Sequence, residues 1–430
     1  MRRLSRRELL GLGAAAGVVA ASGASGDALP ERGGSLRLGL TGRGIGDFDG
    51  RRPFDPIMRI VGHGAVFDCL TEIGADGALK GELAIGWEAS PDARVWTFRL
   101  REDAVFHDGR PFGADDVVST LKLHRAAARA GHAGLAAQIA QVRRTGAHEV
   151  QIALHAGSPA LPFLLADPQF IILPAHAPEA AMARGIGTGL YRMEPDRTPA
   201  RAVLRRVERH RRDGQAGWFE RVEVLAIPDP AARLEALRTG RVDAVNMADP
   251  AWAEAARRHG RIALSEVRGH GYLDLAVEGG AAGTAQAIAE AVAERLDRAA
   301  LLRDAFGGLG IVEEGRNAPR AAEGAVAVVA APARVPGAQA VAREVAAAAR
   351  AAGLHVSEDA PVRIVARLRP GRPTAEWSIP APQEQAGTAR IVPLRPATLI
   401  AHATRLRHGP RIGTLWDMDS ARIAERWWYV

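Results

Sequence analysis

Residues 82–101 read ELAIGWEASPDARVWTFRLR, and this stretch says most about the fold. Trp96 and Phe98 alternate with polar residues, which is the period-two pattern of a strand with one buried face. Serine, proline and aspartate at 90–92 are typical of a turn just before that strand. The stretch therefore predicts a β-hairpin whose apolar face packs on a core.

Strands and helices alternate irregularly along the rest of the chain. A strand is predicted over residues 34–40 and another over 413–417, and a helix over 117–130. A long amphipathic helix, or a pair of helices, is predicted over 284–305, and another long helix over 337–352, with short strands after it. Because runs of strands are interspersed with helices, the sequence predicts an α/β protein with mixed sheets.

The composition is that of a globular protein with a basic balance. The chain has 430 residues, 47% of them hydrophobic, which fits two or three domains. The formal charge is +7, but the only lysines are Lys80 and Lys122, and the arginines are scattered without an aromatic platform. We therefore expect no nucleic-acid partner. For the densest run, residues 201–212, a solvated strand and turn is favoured over an anion or RNA patch.

The first 28 residues have the features of an export signal. Arginines at positions 2, 3, 6 and 7 precede an apolar segment over 9–21, and SRRELL at 5–10 matches the twin-arginine pattern, an ordinary Sec signal being the alternative. Removing residues 1–26 takes away four arginines and one glutamate and lowers the formal charge from +7 to +4. We expect a soluble periplasmic protein, and no cysteine lies near the cleavage region to carry a lipid anchor.

Catalytic and metal-binding motifs are missing from the sequence. It contains no Gly-x-Ser-x-Gly, phosphate-loop or His-Glu-x-x-His pattern. Cys69 is the single cysteine, which excludes a disulfide framework, and it is predicted to be a core thiol in a helix over 60–70. His107, beside a turn, is interpreted as structural. By exclusion, these observations favour a binding protein over an enzyme.

Several strings occur together in a fixed order, covering residues 35–310 and parts of the last forty. In that order they resemble the family 5 solute-binding proteins of ABC importers, which take dipeptides, oligopeptides and in some cases nickel. The strings are FDP at 54–56, VFDCLT at 66–71, DG at 76–77, ELAIGWEAS at 82–90, WTFRLR at 96–101, VFHDGRPF at 105–112, ADDV at 114–117, GTGLY at 187–191, GRVD at 240–243, AVAERLDR at 291–298 and ERWW at 425–428.

The resemblance implies a two-lobed fold in which the lobes close around a ligand by a hinge motion, the arrangement called a Venus flytrap. After the signal peptide at 1–28, lobe I would span 29–250 with an inserted subdomain at about 60–180. Lobe II would span 251–385, and 386–430 would return to lobe I. The implied partners are a peptide or other small solute and the membrane subunits of an ABC permease. We expect a monomer with no cofactor, no metal and no catalytic residue.

The resemblance also implies where a ligand would bind. The segment GRPTAEWS at 371–378 resembles a strand and loop that in relatives carries an acid meeting the amino group of a peptide. Here that acid would be Glu376, with Arg372 as partner of a carboxylate and Trp377 as an apolar wall. Phe48 and Asp47, on the loop after the first strand, would approach from lobe I.

The chain departs from the family in length. Residues 358–393 are compressed relative to relatives, which implies a shortened second lobe. Three alternatives to peptide delivery stay open: a degenerate or regulatory relative with altered binding, a nickel or other small-solute carrier, and an unrecognised exported hydrolase.

Overall fold

The computed structural model describes residues 30–430 except 43, 52–55, 130–134, 247, 249–257, 259, 268–271, 280–281, 307–309, 313–323, 331–334, 336–337, 370–388, 392–393, 397 and 414–416. The predicted export signal at 1–28 lies outside these residues, as do Arg372, Glu376 and Trp377. None of the described helices is both long and apolar enough to cross a bilayer.

The strands and helices are short and follow one another closely. Strands β1 to β22, in chain order, are Ser35–Leu40, Thr71–Ile73, Leu79–Gly81, Ala84–Ala89, Val95–Leu100, Ile139–Gly146, Glu149–Leu154, Tyr191–Met193, Arg201–Arg206, Arg221–Ala226, Ala244–Val245, Ile262–Val267, Tyr272–Glu278, Gly310–Val312, Ala325–Ala330, His355–Val356, Val362–Arg369, Ala389–Ile391, Leu394–Pro396, Thr398–Ala403, Leu406–Arg407 and Trp428–Tyr429. Helices α1 to α10 are Pro56–Val61, Ala114–Arg129, Leu135–Gln138, Leu161–Leu164, Pro178–Arg184, Pro230–Arg238, Ala282–Arg295, Arg298–Phe306, Ala338–Ala351 and Ile423–Arg426. A π-helical turn spans Gly62–Val66, a 3-10 turn spans Pro168–Phe170, and Asp417–Ser420 forms a turn with left-handed backbone angles.

The predicted hairpin is confirmed and belongs to a four-stranded sheet, β4-β5-β7-β6. Its turn is closed by the Ser90 hydroxyl, which donates to Asp92 at 2.6 Å, while the Ser90 N–H donates to the Val95 carbonyl at 2.8 Å. Phe98 has no exposed surface and packs in a core that spans residues 70–172. We call this unit the inserted subdomain.

The largest sheet has seven strands in the order β12-β20-β11-β1-β10-β9-β8. The first strand lies in its middle, parallel to both β10 and β11, while β9 and β20 run antiparallel to their neighbours. The predicted mixed sheet is therefore confirmed. We call this sheet, the inserted subdomain and the segment after β20 the seven-stranded lobe.

A second sheet has five strands in the order β16-β15-β17-β13-β18. The helices α7, α8 and α9 contribute Val292, Leu301 and Val345 to its core, each without exposed surface. The predicted helices over 284–305 and 337–352 are these helices, the first divided in two. We call this sheet with its helices the five-stranded lobe.

Strand pairing differs from the expected division of the chain at two places. The strand Ile262–Val267 was expected beyond the lobe I boundary at 250, yet it pairs with Thr398–Ala403 in the seven-stranded sheet. The strand Ala389–Ile391 was expected in the return to lobe I, yet it pairs with β13 in the five-stranded sheet. Composition cannot reveal such boundaries because pairing joins segments far apart in sequence.

Three local predictions are corrected. The helix expected over 60–70 is replaced by Pro56–Val61 and the π turn, so Cys69 lies in an extended segment. Cys69 is nevertheless the predicted core thiol, because it is fully buried and burial raises the pKa of its thiol. In place of the strand expected over 413–417, the described residues of that stretch include the start of the left-handed turn.

Candidate functional site

One edge of the seven-stranded sheet collects the features of a ligand site. Because β1, β10 and β11 are parallel, their carboxyl ends meet there. The end of β12 and the start of β20 lie at the same edge, since β20 is antiparallel to both β11 and β12. Through these two strands the chain passes to and from the five-stranded lobe. Open α/β sheets bind ligands beyond the carboxyl ends of their strands, so this edge is the candidate site.

The loop over residues 41–50, which follows β1, is fastened at this edge by backbone contacts. The Phe48 N–H donates to the Met182 carbonyl at 3.0 Å. The Arg197 guanidinium donates from Nη1 to the Gly46 carbonyl at 2.9 Å. The loop is therefore positioned by α5 and by the segment after β8.

Asn246, directly after β11, joins the ends of two parallel strands. Its side chain is fully buried, and Oδ1 accepts a hydrogen bond of 2.8 Å from the Thr41 N–H. Its Nδ2 has no hydrogen-bond acceptor among the described residues. An unsatisfied buried donor costs about 1–3 kcal/mol. In this conformation the amide has no exposed surface, so a bound molecule would reach it only after a rearrangement of the neighbouring chain. The sequence analysis missed Asn246, because only the sheet order shows that it follows a central parallel strand.

The structure separates the two loop residues that were expected to approach a ligand. Asp47 is exposed. Phe48 has no exposed surface; its ring centroid lies 5.0 Å from that of Phe67, and the Arg197 guanidinium stacks over it at 5.8 Å. In this conformation Phe48 anchors the loop by packing against Phe67 and presents no surface to a ligand. The expected ligand contact by Phe48 is therefore absent from this conformation. Ligand contact by Asp47 stays a prediction.

Buried ion pairs join the inserted subdomain to the carboxyl-terminal segment. Arg422, with its side chain 1% exposed, contacts Glu82 at 2.6 Å and Glu425 at 2.9 Å. Arg211 contacts Asp68 at 3.0 Å, and these side chains are 3% and 1% exposed. We call these five residues the buried ion network. It connects parts of the chain that are far apart in sequence and so fixes the carboxyl-terminal segment to the rest of the lobe.

The GTGLY motif at 187–191 is part of the same contact. The Thr188 hydroxyl donates to Asp68 at 2.7 Å. A Cβ atom at Gly187 would lie 2.1 Å from the Val66 carbonyl oxygen, so only glycine allows this approach to the π turn. Burial would raise the pKa of Asp68, but the Arg211 charge and the hydrogen bonds outweigh it and hold that pKa well below its usual range. Asp68 is therefore ionised, and its motif supports the architecture.

The densest arginine run, expected to be a solvated strand and turn, is only partly solvated. Arg206 is 5% exposed and contacts Asp213 at 2.7 Å, and Arg211 belongs to the buried ion network. Arg212 contacts Glu425 at 2.9 Å. Arg205 and Arg209 are exposed as expected, whereas Arg211 and Arg212 turn toward acids from distant parts of the chain, which a local charge pattern cannot show.

One group of side chains within the described residues has the composition of a metal site. Potential ligand atoms of His63, Cys69 and Glu82 lie within 4.8 Å of one another, all buried. However, Arg422 Nη2 lies 3.1 Å from His63 Nε2 and also contacts Glu82. A metal ion would face this guanidinium charge, and the buried thiol resists ionisation. The group therefore fits a structural contact better than a metal centre.

Two lobes of mixed α/β structure, joined by two crossings beside the candidate site, define a two-lobed binding protein of the periplasmic type. The family model "Bacterial extracellular solute-binding proteins, family 5 Middle" matches residues 78–356, and the chain belongs to this family.

Individual relatives support the same class. The nickel-binding periplasmic protein of Escherichia coli K12 is 32% identical over 188 residues, which cover 41% of this chain and 35% of that relative. The chain thus spans about a third of the length of that curated protein. AgaA from A. tumefacien R10, solved with agropinic acid, has a TM-score of 0.73 at 17% identity, covering 92% of this chain and 99% of that one. A dipeptide-binding protein from Pseudoalteromonas sp. SM9913, solved with Met-Leu, has a TM-score of 0.73 at 14% identity, covering 92% and 100%.

Proposed function

We propose that this protein is the substrate-binding component of an ABC importer, which binds peptides between its lobes and delivers them to a membrane permease. The observation that carries the proposal is the carboxyl edge of the seven-stranded sheet, where the unsatisfied Asn246 amide follows the strand next to the two chain crossings of a family 5 protein. Peptide carbonyl and carboxylate oxygens are suitable acceptors for that amide.

The proposed contacts come from both lobes. Glu376 would pair with the amino group of the peptide and Arg372 with its carboxylate, through two parallel hydrogen bonds. Trp377 would cover apolar side chains of the peptide. Asp47 would approach from the seven-stranded lobe, on a loop that the buried Phe48 holds in place.

The proposed setting is the periplasm, reached by twin-arginine export of a folded monomer. Its support is the SRRELL string at 5–10 and the apolar segment that follows. A shortened five-stranded lobe is part of the proposal, and it would leave a more open cleft.

A thermal-shift screen tests the peptide assignment. A ligand that binds only the folded state raises Tm, so we expect stabilisation by members of a dipeptide and oligopeptide library. NiCl2 and neutral sugars are screened beside them. If no peptide raises the Tm of protein shown to be folded by circular dichroism, the proposal is wrong. A response to NiCl2 alone would assign the nickel alternative.

Two pairs of variants then test the contacts. Glu376→Gln is expected to weaken binding of free-amine peptides by about tenfold while leaving N-acetylated peptides unaffected, because it removes one charge-assisted hydrogen bond. Glu358→Gln, an exposed acid of the same lobe, is the matched control. Asp47→Asn is compared in the same way with Asp196→Asn, another exposed acid of the seven-stranded lobe. Equal affinities in a variant and its control would remove that residue from the site.

A further inference from the structure

A cavity of about 350 Å³ lies at the end of β8, beside the loop over 41–50. Because β8 and β10 are both antiparallel to β9, β8 runs in the same direction as β1, and the segment after β8 continues as far as Thr198 toward the edge at which β1 ends. Six charged or titratable side chains line this cavity, namely those of His107, Asp108, Arg184, Arg192, Glu194 and Arg197.

The two acids of the cavity have partners of their own. Glu194 contacts Arg205 at 2.8 Å. Asp108 contacts His176 at 3.3 Å and Arg110 at 3.9 Å. Neither acid forms an ion pair with an arginine of the cavity in the described structure.

Within the described part of the chain, the three arginines therefore have no counterion. Arg197 is fixed by carbonyl oxygens, those of Gly46 and Ala183, and these are not charged. Arg184 and Arg192 are exposed and make no hydrogen bond or ion pair with any described residue. His107, which is half-buried, has a lowered pKa mainly because of desolvation, and the Arg192 charge makes a smaller contribution in the same direction.

A second arginine-rich cavity, of about 480 Å³, shows the contrast. There Arg37 and Arg405 share the carboxylate of Asp243, at 2.9 and 2.8 Å. Arg238 forms an ion pair with Glu235 at 2.6 Å. Three of the four arginines lining that cavity thus have a carboxylate partner, whereas none of the three in the first cavity has one among the described residues.

We propose that the cavity bounded by Arg184, Arg192 and Arg197 binds an oxyanion, the carboxylate or phosphate group of a small acidic solute. Guanidinium groups recognise such groups through paired charge-assisted hydrogen bonds. Arg197 is the fixed anchor. It also donates to the Gly46 carbonyl and so connects the cavity to the loop of the candidate ligand site. The inference deepens the proposed function, on which it rests for the idea that the anion is part of the transported solute.

Isothermal titration of the full chain with glutarate and with inorganic phosphate tests the cavity without requiring peptide binding. We expect saturable binding of at least one probe, and the stronger probe identifies the preferred group. Arg184→Gln and Arg192→Gln are each expected to weaken it by about tenfold. Arg209→Gln is the matched control, because Arg209 is also exposed and has no partner among the described residues. No binding, or equal binding by all variants, would overturn the inference.

A comparison of Ala-Glu with Ala-Gln connects the cavity to transport. We expect the acidic dipeptide to bind about tenfold more tightly than the neutral one, and the ratio to fall to about one in the Arg184→Gln/Arg192→Gln double variant. If both dipeptides bind equally to the unmodified protein, the inference fails while the proposed function stands. If neither binds although glutarate or phosphate does, the peptide assignment fails and the anion site stands.

Discussion

The two lobes are held together by different kinds of contact. In the seven-stranded lobe, charged groups such as Asp68, Glu82, Asp243 and Arg422 are buried and paired. In the described part of the five-stranded lobe, Asp274 is the one buried charged or polar residue, and the core is aliphatic with many alanines.

The difference separates two sources of stability. Aliphatic burial contributes in proportion to area and does not depend on protonation. A buried ion network depends on every partner, because removing one leaves the others charged, dehydrated and unpaired. We therefore expect the seven-stranded lobe to respond to pH and to single charge deletions, and the five-stranded lobe to respond to lost volume.

The largest effect is expected from Arg422→Ala. This change leaves Glu82 buried without its guanidinium and Glu425 with Arg212 alone, which costs about 3–5 kcal/mol of unfolding free energy. Arg350→Ala, an exposed arginine on α9, is the control and should stay within about 0.5 kcal/mol. The measurement is urea denaturation at pH 7. A loss no greater than that of the control would show that the network carries no stability.

A core truncation in the other lobe comes next. Leu275 has no exposed surface and packs in the aliphatic core, so Leu275→Ala should cost about 2–5 kcal/mol through lost burial and a residual cavity. The cost should be the same at pH 5 and pH 7, because no titratable group is removed. Leu302→Ala, at a partly buried position of the same lobe, should cost less. A strong pH dependence of the Leu275 variant would break the proposed contrast between the lobes.

Acid should destabilise the seven-stranded lobe first. Burial lowers the pKa of His124 and of His402 to about 4, from an ordinary value of 6.5. Between pH 6.5 and 4, these two histidines are protonated in the unfolded chain but remain neutral in the folded lobe. The stability is thus complete above pH 6.5 and falls as the pH drops to 4, by up to about 3 kcal/mol for each histidine.

Substitution of single histidines shows which of them causes this pH dependence. His402→Gln should flatten the fall of unfolding free energy between pH 6.5 and 4, and His124→Gln should do so independently. His355→Gln, an exposed position of the five-stranded lobe, should leave the slope unchanged. Identical slopes in all three variants would place the acid sensitivity elsewhere.

The parts that sequence predicts well are local. The hairpin of the inserted subdomain follows from its alternation and its turn residues, and Pro230–Arg238 is bounded by Asp229, whose side chain caps Ala232 N–H at 2.7 Å, and by Gly240. The family resemblance added the two-lobed fold. The sheet to which Ile262–Val267 belongs could not be predicted, because strand pairing depends on contacts between distant segments.

The candidate site shows the same limit. Asp47 and Phe48 could be assigned to a loop after β1, but which of them faces solvent depends on packing against Phe67 from another segment. Asn246 and the three arginines of the cavity carry no motif. They become recognisable only when the fold brings the segments that follow β1, β8 and β11 toward one edge of the sheet.

The smallest effect is expected from an exposed ion pair, which sharpens the contrast with the buried network. Asp76 and Lys80 contact at 3.1 Å with side chains 38% and 49% exposed, beside the turn between β2 and β3. Water already solvates both charges, so Lys80→Gln should cost less than about 0.5 kcal/mol. In 1 M NaCl the cost should vanish, since the screening length there is about 3 Å, whereas the cost of Arg422→Ala should persist because salt does not reach its partners. Parallel salt titrations of the two variants measure this difference, and a common salt response would mean that the buried network is open to solvent.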